Sequence, residues 1–514
     1  MTLAGVDGSA APNRRLRPWR IDDVLVYVWI VAFAALRAGT IQDNDVYWQV
    51  RAGNEQLAGS PLIRPDSWSW APVGGDWVPN SPAWNLVLAG SWNAAGYWGL
   101  FALGTFTLTA LLLLSYRVAL RLGAIPLVAL PVLTVLWFAA FPFLSLRATV
   151  PAQLLVLLGI CFAVAWSTQP TRSRTIDLLT IGVAAFALSA LGNWVHLSWA
   201  AFALLLTGVW AAVWVLSAAR RWGHAAARTA VSGVGFLLGI FAGPYGWDVW
   251  AHTARVAAAC TGLIQEWAGP LTEWELIPRW GIPVVLVIVV AGFGAVRAWN
   301  SRRLVVADER WRLIVALVLV SAPFALASLT AVRFVGIAAL GLAPVAAVLM
   351  SEVAKRFAAR RPSRLPERWF TARYWRRIVV GVLVLVVPAS AVLAAPHATQ
   401  RSQAAVEALP AGCALFARTD ESDLAILIRP DVEVWFDGRA DYYGRNRVFD
   451  AQWRFSRATA EEAIPAGATC VLLDRESAIW QTSALIASMN ASVRWRVSFD
   501  DGRFLVWTRA AESA

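Results

Sequence analysis

Eleven apolar stretches, each long enough to cross about 30 Å of hydrocarbon, constrain this chain more than any other feature. They lie near 22–39, 97–120, 124–141, 151–167, 175–192, 194–216, 229–244, 281–298, 311–329, 332–350 and 377–395. In lipid a backbone must satisfy its own polar groups, so each stretch reads as a helix. Composition agrees, with 58% hydrophobic and 15% charged residues against about 45–50% and 25% in soluble domains.

The charges between the stretches orient the bundle. One set of segments carries Arg14/Arg15/Arg17/Arg20, Arg117/Arg121, Arg172/Arg174, Arg220/Arg221/Arg228, Arg297/Arg302/Arg303/Arg310/Arg312 and nine basic residues from Lys355 to Arg377. The alternate set holds only Arg51, Arg64, Arg147, Arg255, Arg279 and Arg333. Basic loops stay in the cytoplasm, so the N-terminus (1–21) is expected inside. An odd number of spans then places 396–514 outside. The net charge of +12 is thereby an orientation signal, and nucleic-acid binding is excluded. The first stretch follows arginines and has no small-residue cleavage site, so it reads as a retained anchor. The thirty Trp suit membrane interfaces.

The expected architecture is an α-helical polytopic membrane protein of about eleven spans over 22–395, with long outer loops at 40–96 and 245–280. Segment 82–93 reads as an amphipathic interfacial helix. A small extracytoplasmic α/β domain follows over 396–514. Strands are predicted at Ala414–Phe416, Val432–Phe436 and Cys470–Leu473, and helices at 421–428 and 477–489. A closing hairpin, Val493–Phe499 and Arg503–Trp507, turns at Asp500-Asp501-Gly502. Cys413 and Cys470 form a disulfide or stay as two buried thiols; composition does not choose.

Polar residues cluster on the outer side. Asp43 and Asp45 open the first long loop and suit proton acceptance, cation binding or simple helix capping. Asp66, after Gly59 and Pro61, either caps the following segment or serves the site. Arg147, Asn193, His196, Tyr245, Glu266 and Arg333 sit at the outer ends of different spans. Intramembrane charges are costly enough to face a cavity or a partner. In the tail, Asp437-Gly438-Arg439-Ala440-Asp441-Tyr442-Tyr443 reads as a turn with an exposed salt bridge, or as a lid contact or acceptor site over the membrane cavity.

The succession of motifs resembles the GT-C superfamily of membrane glycosyltransferases, in particular bacterial GT-C-like proteins with a soluble C-terminal domain. Asp43, Asp45, Trp48 and Gly53 match a first-loop D-x-D-x-W-W-H-x-x-x-G element. Gly59, Asp66 and Ser69 match a G-x-x-P-x-x-D-x-x-S element, with Pro61 one place early. Arg147, Asn193-Trp194-Val195-His196, Gly243-Pro244-Tyr245-Gly246, Glu266-Trp267, Arg333-Phe334 and Phe436-Asp437-Gly438-Arg439 with Tyr442 continue the series. Tyr47 and Gln49 replace a Trp and a His of the first motif, Gly243 replaces an Asn, and the N-x-H element is one residue longer.

The resemblance implies sugar transfer from a polyprenyl-phosphate-linked donor to a glycan, lipid or protein acceptor of the cell envelope, on the outer face of a bacterial inner membrane. Asp43, Asp45 and Glu266 would be catalytic, one Asp as base. Arg147, Arg333, His196 and Tyr245 would hold the donor phosphate and lipid. Trp48, Asp66, Asn193, Trp267, Asp437 and Arg439 would bind substrate. A divalent cation (Mg or Mn) on Asp43 and Asp45 stays open, since superfamily members differ. Two other readings survive at this stage: a transporter or flippase of a lipid-linked precursor, and a non-catalytic envelope assembly protein.

Overall fold

A computed structural model describes residues 21–39, 45–169, 173–218, 221–300, 308–360, 401–477 and 482–510. Ten of the eleven apolar stretches fall on helices, and the stretch 377–395 lies outside the described residues, as do 1–20 and Asp43. The helices are α1 (Ile21–Gly39), α2 (Asp45–Leu57), α3 (Pro82–Arg121), α4 (Pro126–Ala140), α5 (Thr149–Ser167) and α6 (Arg174–Val195). Then come α7 (Trp199–Leu216), α8 (Trp222–Phe241), α9 (Val249–Cys260), α10 (Ile277–Asn300), α11 (Glu309–Ala327) and α12 (Phe334–Arg360). Among the described residues eight helical segments are long and apolar enough to cross a membrane, with shorter apolar helices at Val26–Gly39 and Val128–Phe143.

Interfacial and spanning parts meet in α3. Ala95 and Gly96 leave helical geometry, Gly96 at φ 55°, and this kink separates the expected amphipathic segment from the span beyond it. Glycine takes that left-handed conformation without a Cβ clash. The chain therefore turns from the interface into the bundle within two residues.

Two expectations are corrected inside the bundle. Arg228, placed in a basic loop by its charge, lies within α8 and is 7% exposed. It can be helical and buried because Asp177 of α6 accepts from its Nε at 2.8 Å and from its Nη2 at 2.7 Å. The Trp residues are not all interfacial either: Trp137, Trp199, Trp210 and Trp214 are fully buried. Trp210 satisfies its indole N–H on the carbonyl of Gly159 at 3.1 Å, the condition for burying such a ring.

The tail folds as a mixed sheet. Its strands are β3 (Ala414–Phe416), β4 (Glu433–Val434), β5 (Cys470–Asp474), β6 (Trp495–Asp500) and β7 (Phe504–Arg509); β1 (Arg64–Pro65) and β2 (Asp76–Trp77) form a separate pair in the first long loop. The order is β4-β3-β5-β7-β6, with β3 parallel to β4 and β5, and β7 antiparallel to β5 and β6. Period-2 alternation in the terminal run gives the hairpin; Gly502 turns it at φ 89°, and Asp501 Oδ1 accepts from the amides of Arg503 and Phe504. The predicted strand Val432–Phe436 is shorter than its sequence suggests: past Val434 the Trp435 amide still donates to the carbonyl of Leu415 at 2.9 Å, while the rings of Trp435 and Phe436 join the core shared with the tail's helices. Helices Thr419–Ile428, Ala440–Phe455 and Thr482–Ala491 cover the sheet. A disulfide joins Cys413 to Cys470 beside the paired strands β3 and β5.

Candidate active site

Where the first loop, the second loop and the tail meet the bundle, a cavity of about 200 Å³ opens. Asp45, Trp48, Arg147, His196, Glu266, Trp267 and Arg333, seven of the residues singled out from the sequence, line it together.

Each reaches the cavity from the end of an element. Asp45 starts α2, where a carboxylate favours the helix N-terminus, and Trp48, one turn on, donates its indole N–H to Asp45 Oδ1 at 3.3 Å. Arg147 stands just before α5. Its Nη1 donates to both oxygens of Glu266 at 3.1 Å, and its Nη2 lies 3.3 Å from Asp45 Oδ2. Glu266 sits on a single 3₁₀ turn that is pinned to the approach of α12: its carbonyl accepts from the amide of Arg333 at 3.1 Å. Arg333 then places Nη1 3.7 Å from Glu266 Oε1 and lays its guanidinium over Trp267 at 4.1 Å from the ring centre. His196 caps α6 and accepts at Nδ1 from the Ser198 amide and hydroxyl.

Two guanidiniums thus converge on one carboxylate, with a second carboxylate touching the first Arg. This is an anion-binding geometry satisfied from within. Among the described residues no three His, Cys, Asp or Glu are grouped to hold a metal ion, and Asp45 is turned to Arg147.

Other sequence candidates stand behind the cavity. Asn193 is buried and donates to the carbonyl of Ser189 at 2.8 Å. The Tyr245 hydroxyl donates to the carbonyl of Pro79 and so supports Asn80, a lining residue. Asp66, Asp437 and Arg439 form a fully buried web: Arg439 reaches Asp66 Oδ1 and Asp437 Oδ2, each at 2.7 Å, with all three side chains at zero exposure. The exposed ion pair expected at Asp437-Gly438-Arg439 is therefore buried. Its guanidinium lies 4.3 Å from the ring centre of Trp68, so the first loop wraps around it.

That web brings the tail onto the cavity. Gly438, Ala440 and Asp441 complete the lining. A methyl group at Gly438 would stand 2.6 Å from Asp45 Oδ1, 2.9 Å from Asp423 Oδ2 and 2.9 Å from Trp48 Nε1, so only glycine fits against the loop. Asp423, whose Oδ1 accepts from the Gly438 amide at 2.8 Å, is held well above the usual carboxylate range by burial, with Asp437 and Asp45 adding to it. Asp441 belongs to the tail segment whose second reading is a contact over the cavity, whereas sequence reasoning missed Gln49 and Asn80 as lining residues. Gln49 carried one signal, since it replaces a motif histidine.

No protein-family model matches the chain, and no curated protein matches it in sequence. Solved structures do. The Archaeoglobus fulgidus oligosaccharyltransferase tethered to an acceptor peptide aligns over 95% of this chain and 74% of its own, with a TM-score of 0.50 at 9% identity. The ArnT of Cupriavidus metallidurans bound to undecaprenyl phosphate aligns over 95% and 97%, with a TM-score of 0.47 at 14% identity. The oligosaccharyltransferase likeness bears out the fold class read from the sequence, a multi-pass membrane bundle carrying a small α/β tail.

Proposed function

Taking the GT-C fold as premise, we propose that this chain transfers a sugar from a polyprenyl-phosphate-linked donor to a cell-envelope acceptor. One observation carries the reading: Arg147 and Arg333 close on Glu266 in a cavity at the end of an apolar bundle. A donor phosphate entering there meets two guanidiniums and displaces the internal carboxylate.

The chemistry is a single displacement. The acceptor hydroxyl oxygen bonds to the anomeric carbon while the carbon–oxygen bond to the phosphate breaks, its electron pair leaving with the phosphate. Arg147 and Arg333 stabilise that charge as it develops. Asp45, held by Arg147 and Trp48, takes the hydroxyl proton, and attack opposite the phosphate inverts the anomeric centre. His196, neighbour to both guanidiniums in the lining, and Trp267, stacked on Arg333, shape the phosphate end.

The reaction faces the outside of a bacterial inner membrane. The alternation of basic loops supports this sidedness, and the tail disulfide suits an oxidising compartment. A carrier would need polar groups along the depth of several helices, whereas the ion pairs here gather at helix ends.

Purified full-length chain, given polyprenyl-phosphate hexoses and pentoses with a delipidated envelope extract, tests the reading. Label should move to the extract, and Asp45→Asn and Arg147→Ala should each cut the transfer by about 10²-fold or more while the protein elutes as folded. Transfer that survives undiminished in both variants removes the mechanism.

A further inference from the structure

The tail side of the cavity holds a carboxylate that the mechanism above does not use. Asp441 lies in the first turn of the helix Ala440–Phe455, its side chain is 7% exposed, and it lines the cavity. Its Oδ2 has no hydrogen-bond partner among the described residues. The other lining carboxylates have cations: Asp45 has Arg147, and Glu266 has Arg147 and Arg333.

The groups around Asp441 do not supply one. Arg439, two residues earlier, is committed to Asp66 and Asp437. From α9 the neighbours are His252, whose Nε2 is 4.0 Å away, and the Cys260 thiol. From the turn after α8 comes Tyr245, whose hydroxyl is spent on Pro79. Burial first, and Arg255 second, push His252 down to about 4, so it is neutral near pH 7. Burial likewise pushes Asp441 up to about 6, which leaves it mostly ionised at that pH.

Gln49 adds a second, independent case. It lines the same cavity at 5% exposure, and its Oε1 also lacks a partner. Two buried oxygens without donors, on residues that line one cavity, are costly unless a ligand that enters supplies the donors. A phosphate or carboxylate brings only more acceptors. A polyol brings hydroxyls.

We propose that Asp441, with Gln49, forms the acceptor subsite, binding hydroxyl groups of a polyhydroxylated acceptor at the tail side of the cavity, apart from the guanidiniums that take the phosphate. This rests on the transferase reading above and deepens it. The ionised Asp441 accepts the hydrogen bond; protonation weakens that acceptance. Acceptor binding therefore tightens as pH rises through about 6, whereas donor binding does not follow that group.

The test is a split between two half-saturations in full-length protein in lipid nanodiscs. Transfer from polyprenyl-phosphate hexoses and pentoses to delipidated envelope glycan is measured for wild type, Asp441→Asn and Asp441→Glu. Undecaprenyl phosphate binding is followed in parallel by tryptophan fluorescence. Asp441→Asn should raise the glycan half-saturation about ten-fold, the loss of about 1.4 kcal/mol, and flatten its dependence on pH near 6. Undecaprenyl phosphate binding should stay within about two-fold, and Asp441→Glu, which keeps the charge, should recover part of the glycan effect. An unchanged glycan half-saturation in folded Asp441→Asn, or a change in undecaprenyl phosphate binding instead, overturns the acceptor subsite and leaves the transferase reading standing. A preference for aminated over hydroxylated glycan overturns the polyol assignment. A wild type that neither binds undecaprenyl phosphate nor transfers sugar overturns both.

Discussion

The two ends of the helix bundle use the same residue types to opposite effect. Away from the tail, Asp177 is enclosed by Arg228, Trp166 and His224, at 2.7–3.2 Å. Arg121 meets Glu309 and Arg297 meets Glu352 at 2.9 Å. The Asp177 charge serves packing between α6 and α8. At the tail end Arg147, Arg333, Asp45 and Glu266 share a cavity of about 200 Å³, and Asp441 and Gln49 keep an oxygen without a partner. The difference lies in closure. An ion pair whose donors and acceptors are all matched is architecture, whereas one left open to a cavity is poised for exchange with a ligand.

Substitutions that separate stability from transfer sharpen that contrast. The largest effect is expected at closed pairs. Arg228→Ala strands Asp177 at 5% side-chain exposure, and should cost about 3–5 kcal/mol in stability while transfer per folded molecule is unchanged. Unfolding in detergent and a normalised transfer assay read the two quantities. Next comes the open end: Arg147→Ala should cut transfer by about 10²–10³ with little change in unfolding temperature. If both variants lose stability and transfer alike, the distinction fails.

Gly438→Ala should be intermediate. The new methyl must push aside Asp45, Asp423 or Trp48, at about 1–3 kcal/mol for such overpacking, and should depress transfer through the displaced loop carboxylate. An effect that is small only near pH 5 concerns Glu421, which burial first, and Asp420 second, push up to about 8. The fold favours its protonated form, so this residue subtracts stability progressively as pH rises from about 4.5 to about 8, and by a constant amount above. Glu421→Gln should raise the unfolding temperature by an amount that grows over that window and then levels.

The sequence carried the bundle well because hydrophobic length is a local property. It also grouped Asp45, Arg147, His196, Glu266 and Arg333, since sidedness follows from counting spans and charges. It could not rank the charged residues of the tail. Asp437 and Arg439 sat in the motif that attracted attention, yet they are the buried pair, and Asp441 a turn further reaches the cavity. Which of the three faces inward depends on docking against Trp68 and Trp77, residues more than 350 positions away. Arg228 was misplaced for a related reason: a charge in sequence looks like a loop until its partner on another helix is known.

The first loop also lends a strand to the tail. Val434 donates its amide to the carbonyl of Trp68 at 2.8 Å, Trp70 donates to the carbonyl of Val434 at 3.2 Å, and Ser69 pairs with Val434 as a parallel bridge. Strand β4 is an edge of the tail sheet, and this segment covers it. During synthesis the segment emerges long before its partner, so it must wait through the insertion of most of the bundle with its backbone unpaired. Unpaired edges of that kind invite wrong partners. Assembly thus folds back on itself, with the late-made tail sheet returning to seal the first loop.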